Sequence, residues 1–353
     1  MEFHLPTIEP TDPPPFDFCF KKVGTKLRTL AKPSNHTAII HRSVQSHLEE
    51  KISNIAKFNS IFRGLENMPS ATGGIKLRGA YKNAMSHLDN RYFYKLDISN
   101  AYDNVNIEIL AMLLLCIEKP KETIEKCLPH YDQSPSAWVY HWILQEGFYD
   151  QISKLERYSL WLKFLKTFCG NQYGKGLATG GPISPYFMNL YCEAVLDDWF
   201  RCVAPMGFLE GIPFQKIRYT RYLDDMVFSS DKPFQKRFRQ SVISHLSLYS
   251  FGVNHYKSFV LDLKKGPITI TGYTIEYSNK GKKHRVLLSQ KIRNKIGGII
   301  KSFLCGKIKQ KKVVLGYVSN FLFYVNQKSK LKQKLNASET KTLRLCEAAK
   351  EKI

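Results

Sequence analysis

The sequence predicts an α+β fold built on a central antiparallel sheet. Three observations carry that expectation. Apolar β-like runs end on an acid at Tyr92–Asp97 and flank the pair Asp224-Asp225. A further strand pair is expected over Pro267–Tyr277. Between them the apolar positions are spaced by three and four, as in helices. Strands and helices are mixed without the strict alternation of a doubly wound sheet.

The opening, MEFHLPTIEPTDPPPF, is acidic and proline-rich, so residues 1–15 are expected to form an extended arm. It has the pattern of neither a signal nor a transit peptide. In FDFCFKKVGTKLRTLAKP two alternating stretches flank Val23-Gly24-Thr25, which predicts a hairpin with basic residues on one face. The spacing predicts a helix from about His41 to Phe62, a loop over ATGGIKLRG and a short helix around Tyr81–His87. Tyr92–Asp97 is the buried strand, and Asn106–Ile117 a helix. The segment Pro120–Tyr158 is expected to be mostly helical. GNQYGKGLATGGPISP is a glycine-rich loop that opens a helix over Tyr186–Phe200, with Pro185 just inside its start. Lys216–Ser229 is a hairpin with Asp224-Asp225 at its tip. The tail alternates helix-like and loop-like stretches, and there is no internal repeat.

The 353 residues suffice for two or three subdomains around a substantial core. The formal net charge is +23, an excess that repels itself in a compact chain and calls for a polyanionic partner. From Gly281 to Ile353 nineteen Lys and Arg face three Glu, so the basic surface belongs mainly to the C-terminal part. Nucleic acid is the first candidate partner and an anionic membrane the second. The longest wholly apolar run, Ile109–Ile117, is too short to span a bilayer. The eight cysteines show no C-x-x-C and no zinc spacing; several sit in apolar runs, and a reducing cytoplasm is the simplest setting.

Two adjacent acids between hydrophobic β runs, as in Tyr222-Leu223-Asp224-Asp225, are costly unless the site is wet or holds a cation. Mg²⁺ takes a few carboxylate oxygens and keeps its other positions for water and phosphate. The bland alternative is an exposed acidic turn. A second pair, Asp197-Asp198, lies on a helix before Trp199-Phe200 and reads as helix surface. Asp97 closes the strand Phe93-Tyr94-Lys95-Leu96; it could supply the third carboxylate of a two-metal phosphoryl-transfer site, or cap a helix. In Gly174–Leu190 the glycines allow a nucleobase and sugar close to the backbone, unless the stretch is a plain linker.

These three elements, in this order and at these spacings, resemble motifs A, B and C of reverse transcriptases, and the resemblance covers about Phe18 to Tyr277. It implies a right-hand polymerase: an arm over 1–15, fingers over 16–90, palm with motif A over 91–103, fingers or an insertion over 104–172, palm over 173–277 and a basic helical thumb over 278–353. The palm would hold a split βαβ antiparallel sheet. Asp97, Asp224 and Asp225 would be catalytic and bind two Mg²⁺ ions, with Mn²⁺ as an alternative and the Ile98 carbonyl on one of them. Tyr102 would be the steric gate favouring dNTPs. Lys22 and Arg28 would contact the triphosphate, and Thr179 and Gly180 the incoming nucleotide. Lys257, in Gly252-Val253-Asn254-His255-Tyr256-Lys257, would donate a proton to the leaving pyrophosphate, although an ordinary surface lysine is an equal reading.

Phe20-Lys21-Lys22 through Arg28, Asn83-Ala84-Met85-Ser86-His87 and Ile270-Thr271-Gly272 resemble bacterial retron-type and defence-associated members. His87 could also be a plain structural histidine. The resemblance implies an RNA-directed DNA polymerase in the cytoplasm that copies a dedicated non-coding RNA into DNA in antiviral defence, with an effector or second subunit as a further partner and no membrane. Thr179 stands where the family usually has Gln. The 128 residues after Asp225 leave room for a thumb and little for a nuclease domain. A template-independent or protein-primed polymeriser with the same palm, and an inactive RNA-binding scaffold, are the competing expectations.

Overall fold

A computed structural model describes residues 4–6, 14–23, 26–57, 60–75, 79–119, 154–202, 217–277, 284–330 and 334–353. Most of the expected arm, the hairpin tip Gly24-Thr25 and nearly all of the expected helical segment Pro120–Tyr158 lie outside these residues. Contacts divide the chain into two units, Met1–Gly79 with Asn90–Leu261, and Ala80–Asp89 with Asp262–Ile353.

The first unit opens with an antiparallel hairpin of β1 (Phe16–Val23) and β2 (Lys26–Pro33). Its register sets Lys21 opposite Arg28 and Lys22 opposite Leu27. Side chains alternate along a strand, so Lys21 and Arg28 share one face and Lys22 belongs to the other. Lys32, opposite Asp17, falls on the same face as Lys21 and Arg28, so the basic residues gather mainly on one face, as expected, and Lys22 is the exception. Helix α1 (Asn35–Ala56) begins at Asn35 and not at His41, because Ser34 caps it: its hydroxyl accepts from Thr37 N at 3.1 Å. The rest of the predicted helix is a separate one, α2 (Ser60–Asn67).

After α3 (Ala80–Met85), which belongs to the second unit, come β3 (Tyr92–Ser99) and α4 (Ile107–Glu118), capped by Asn106. Helix α5 (Glu156–Phe164) runs into a π turn at Leu165–Cys169. Helix α6 (Ser184–Cys192) passes through a second π turn, Glu193–Asp197, into α7 (Asp198–Cys202). Then follow β4 (Arg218–Tyr222), β5 (Asp225–Ser230), α8 (Lys236–Leu248), β6 (Gly252–Val253) and β7 (Phe259–Asp262). The sheet order is β4-β5-β3-β6, each neighbour antiparallel, and β7 also pairs with β3. Leu48, Leu114, Trp161, Phe187 and Phe228 belong to one core beneath it.

Asp197-Asp198 is not helix surface. Both residues are buried, because the helix that carries them is wrapped by the core on all sides. Their charge is answered by Arg221, on Asp197 at 2.7 Å, and by Arg201, on Asp198 at 3.1 Å and on the buried Glu193.

In the second unit β8 (Ile268–Ile270) and β9 (Tyr273–Glu276) form the expected strand pair, and β10 (Arg285–Leu288) adds a third strand in the order β10-β9-β8. The tail is three helices, α9 (Gln290–Leu304), α10 (Lys311–Lys330) and α11 (Ala337–Lys352). Asn336 and Glu339 form a capping box at the start of α11. The buried Glu339 carboxylate also accepts from Tyr324 and from Lys328, each at 2.6 Å. Among the described residues no helix is long and apolar enough to cross a membrane. Cys116, Cys169, Cys192 and Cys346 are buried, as their apolar setting predicts.

Burial alone would raise the Glu339 pKa, but the hydrogen bonds from Lys328, Tyr324 and Asn336 prevail and lower it below 4.5. A carboxyl whose folded pKa is depressed stabilises the fold above its unfolded pKa and loses that contribution as pH falls through the folded value. Amide exchange in α10 and α11 of the full chain, expressed relative to the intrinsic rate at each pH, should therefore accelerate below about pH 4.5 in the wild type. In Glu339→Gln it should be faster at neutral pH and less dependent on pH. Equal pH dependence in the two proteins would refute the assignment.

Candidate active site

The register of the first unit's sheet builds the site. β3 and β5 pair so that Asp97 and Asp225 are direct partners, and the Ile98 N–H donates to the Asp224 carbonyl at 3.0 Å. Asp224 sits in the tight turn between β4 and β5, next to Leu223, whose backbone is left-handed at φ 56°. Asp97 and Asp224 thus come to one edge of the sheet from segments more than a hundred residues apart.

They line a cleft of about 470 Å³. Its walls include Arg28 and Phe18 from the hairpin, Ile98 and Tyr102 after β3, Asn171, Tyr173 and Thr179 from the glycine-rich loop, and Asn254 and Lys257 beyond β6. Of the residues singled out in the sequence, Asp97, Ile98, Asp224, Arg28, Tyr102, Thr179 and Lys257 therefore share one cavity. Lys22, Gly180 and Asp225 do not line it. The Asp225 carboxylate instead faces Lys95 Nζ at 3.4 Å.

The electrostatics fit a cation. Lys257 Nζ stands 2.8 and 3.0 Å from the two Asp97 oxygens, and Asn254 donates to the same carboxylate at 3.2 Å. A positive charge already sits where a divalent ion would be held. Burial first, and then the charges of Asp225 and Asp97, raise the Asp224 pKa. Carboxylates crowded in this way gain from any cation that enters. Among the described residues no group of three His, Cys, Asp or Glu is already closed into a ligand set, and Asp225 would have to leave Lys95 to complete one. Burial, with Asp224 nearby, pushes the Tyr102 hydroxyl up to about 12, so the ring is a neutral wall of the cleft.

The sequence-wide match decides the family. Residues 20–275 match the family model described as reverse transcriptase (RNA-dependent DNA polymerase). The chain belongs to the reverse transcriptase family. These enzymes are RNA-directed DNA polymerases and hence nucleotidyltransferases. No curated protein matches the sequence. Among solved structures, apo telomerase from Candida tropicalis is similar at 14% identity and a TM-score of 0.45, over 76% of this chain and 48% of that one. Telomerase from Candida albicans in complex with a TWJ fragment of telomeric RNA is similar at 12% identity and a TM-score of 0.47, over 95% and 59%. This reverse transcriptase chain thus spans about half to three-fifths of the length of those telomerase chains.

The glycine-rich loop of this reverse transcriptase is stitched to both neighbours. Ala31 N donates to Thr179 O at 2.8 Å, and a Cβ on Gly180 would lie 2.7 Å from Ala31 O, so the hairpin rests directly on the loop backbone. Leu177 N donates to Tyr102 O at 2.8 Å. The Asn171 side chain donates to Asp103 and accepts from Tyr173 N and Lys175 N. Asn254 and Lys95 stand within the quoted motifs with no role assigned to them, and Asn171 and Phe18 carry no signal of their own. Lys95 had a signal, since it stands two residues before Asp97 on the same face of the strand. The carboxylates that Asn171 and Asn254 bond, Asp103 and Asp97, lie in distant segments, which no local pattern reveals.

Gly174 and Gly176 share a φ of 66°, but only Gly176 is crowded: a Cβ there would lie 2.3 Å from Asp103 O, whereas Gly174 has open space. Gly174→Ala should cost about 1–2 kcal/mol, the strain of a left-handed residue. Gly176→Ala should cost clearly more, because the backbone after Asp97 must move. Denaturation midpoints for the two variants check this, and equal losses would contradict it.

Proposed function

We propose that the chain copies RNA into DNA by nucleotidyl transfer in this cleft. The single observation that carries the reading is the convergence of Asp97 and Asp224, the Arg28 guanidinium and the Tyr102 ring on one cavity of nucleotide size. Asp97, Asp224 and Asp225 would hold two divalent ions, Mg²⁺ or alternatively Mn²⁺, with the Ile98 carbonyl as a further ligand. Bound there, the ions would lower the pKa of the attacking 3′-hydroxyl and neutralise the leaving pyrophosphate.

The chain's own residues would do the rest. Arg28 grips the triphosphate, and Lys22, on the other hairpin face and outside the cleft, is left without that role. Thr179 and Gly180 border the incoming sugar and base. Tyr102 excludes a 2′-hydroxyl and so favours dNTPs. Lys257, whose ammonium reaches the cleft on the Asp97 carboxylate, would donate the proton that the leaving pyrophosphate takes up. The basic C-terminal helices hold the nucleic acid through its phosphates. The fingers, palm and thumb boundaries given above belong to the same reading.

The retron-like stretches Asn83–His87 and Ile270–Gly272 support a dedicated non-coding RNA as template and a role in bacterial antiviral defence in the cytoplasm, with an effector or second subunit as partner. In support, Asn83 and His87 are both fully buried, so the stretch is a built part of the second unit.

Purified protein with its co-purifying RNA, Mg²⁺ and labelled dNTPs should incorporate nucleotide in an RNase-sensitive way. Asp224→Ala with Asp225→Ala should lower the rate by at least about a thousandfold, in line with loss of metal-assisted charge stabilisation. Incorporation that survives RNase with random product sequence would point to template-independent synthesis. No incorporation with primer and template supplied would favour the RNA-binding scaffold. Tyr102→Ala should raise incorporation of ribonucleotides relative to dNTPs, and an unchanged ratio would remove the gate.

RNA affinity, measured by fluorescence anisotropy, should fall at least about tenfold between roughly 50 and 200 mM salt. Affinity independent of salt would contradict phosphate gripping by the basic helices.

A further inference from the structure

We infer that Arg221 is a positioning residue that holds the Asp224 turn in its working shape, and that Asp197 and Asn189 exist to aim it. Arg221 is completely buried, immediately before Tyr222-Leu223-Asp224-Asp225. A guanidinium inside a core needs strong partners. Its Nε and Nη2 donate to Asp197 at 2.9 and 2.7 Å, and Tyr219 donates to the same carboxylate at 2.7 Å. Burial acts to lower the Arg221 pKa, but the Asp197 charge overrides it and the group stays charged.

The remaining nitrogen sets the function. Nη1 donates to Asn189 Oδ1 at 3.0 Å and to the Leu223 carbonyl at 3.2 Å. Leu223 has a φ of 56°, a conformation a side-chain-bearing residue adopts at a cost, and it is the residue directly before Asp224. The guanidinium therefore bonds to the strained link of the turn. Three further contacts limit its freedom. Arg221 N donates to Ser70 O, Thr72 N donates to Arg221 O, and Asn189 Nδ2 donates to Gly73 O, so the 70–73 segment is bound to both residues. The far side of the turn is fixed by the Ile98 N–H on Asp224 O. The Asp224 backbone is thus held between β3 and a charge-assisted clamp anchored on the helix segment of Asn189 and Asp197.

A purely structural ion pair would end at Asp197. What sets this one apart is the bond to Leu223 O, which lies on the catalytic side and adds nothing to helix packing. The inference rests on the nucleotidyl-transfer reading only for its kinetic arm.

The test uses Arg221→Lys in the full chain. Lysine keeps a charge for Asp197, but a single ammonium cannot replace the guanidinium fork that serves three acceptors. Amide exchange at Ile98 and across 222–226 should rise about tenfold, with Tyr92–Tyr94 at the other end of the same strand unchanged. kcat for dNTP incorporation should fall about tenfold, with KM within about threefold and the thermal midpoint nearly kept. Adding Leu223→Gly should restore most of both effects, since glycine takes a positive φ without strain and needs no clamp. Asn189→Ala keeps the ion pair and removes the acceptor that aims Nη1; it should give the same signature in smaller measure, and it decides the matter if Arg221→Lys does not fold. Exchange at the turn unchanged in the folded variants overturns the inference, as does a loss that Leu223→Gly leaves uncorrected. Wild-type protein that incorporates no nucleotide while the exchange pattern appears as expected refutes the proposed activity and leaves the clamp intact.

Discussion

The site depends on one constraint: like charges must be kept together on adjacent strands. Pairing β3 with β5 in register brings Asp97 opposite Asp225 and sets Asp224 beside both. Left alone, these carboxylates repel one another, and Asp224 already shows it in a raised pKa caused by burial and by its two neighbours. The fold answers with cations of its own. Lys257 sits on Asp97, Lys95 faces Asp225 and Arg221 backs the turn. Lys257 and Lys95 can be displaced, so a cluster neutralised by them is suited to exchange them for metal ions, while Arg221 stays on Asp197.

Around that cluster the first unit is organised as a set of braces. The hairpin of β1 and β2 is joined to the glycine-rich loop through Ala31 and Thr179, and the loop to the chain after Asp97 through Leu177 and Tyr102. Each bond links segments that are distant in sequence, so the cleft has walls whose relative positions are fixed by backbone. That is what an enzyme of this family needs, because nucleotidyl transfer relies more on positioning and charge stabilisation than on covalent chemistry by the protein.

The parts legible in the sequence were those with local signatures. Asp224-Asp225 between β runs, Asp97 at the end of an apolar strand and the glycine-rich loop before Ser184-Pro185 each state their chemistry within a few residues, and the structure brings Asp97, Asp224 and Thr179 into one cavity. What stayed hidden required pairing across distance. Asp197-Asp198 resembles any acidic pair on a helix, and only Arg221 and Arg201 in three dimensions explain its burial. A signal did exist: the stretch from Tyr186 to Phe200 is apolar almost all round, the mark of a buried helix rather than a surface one. The start of α1 at Asn35 was likewise written in Ser34, a capping residue placed just after a proline. Lys22 shows the opposite limit, since alternation in β1 puts it on the face away from Arg28 although both are basic.

The central claim is that the Asp97 and Asp224 carboxylates form a divalent-cation site completed by nucleotide. Mn²⁺ binding followed by electron paramagnetic resonance, with and without a dNTP, tests it most directly. The account predicts that wild-type protein binds Mn²⁺ more tightly when dNTP is present, and that Asp97→Asn and Asp224→Asn each abolish the gain. Binding that ignores either substitution, or that the nucleotide leaves unchanged, would contradict it.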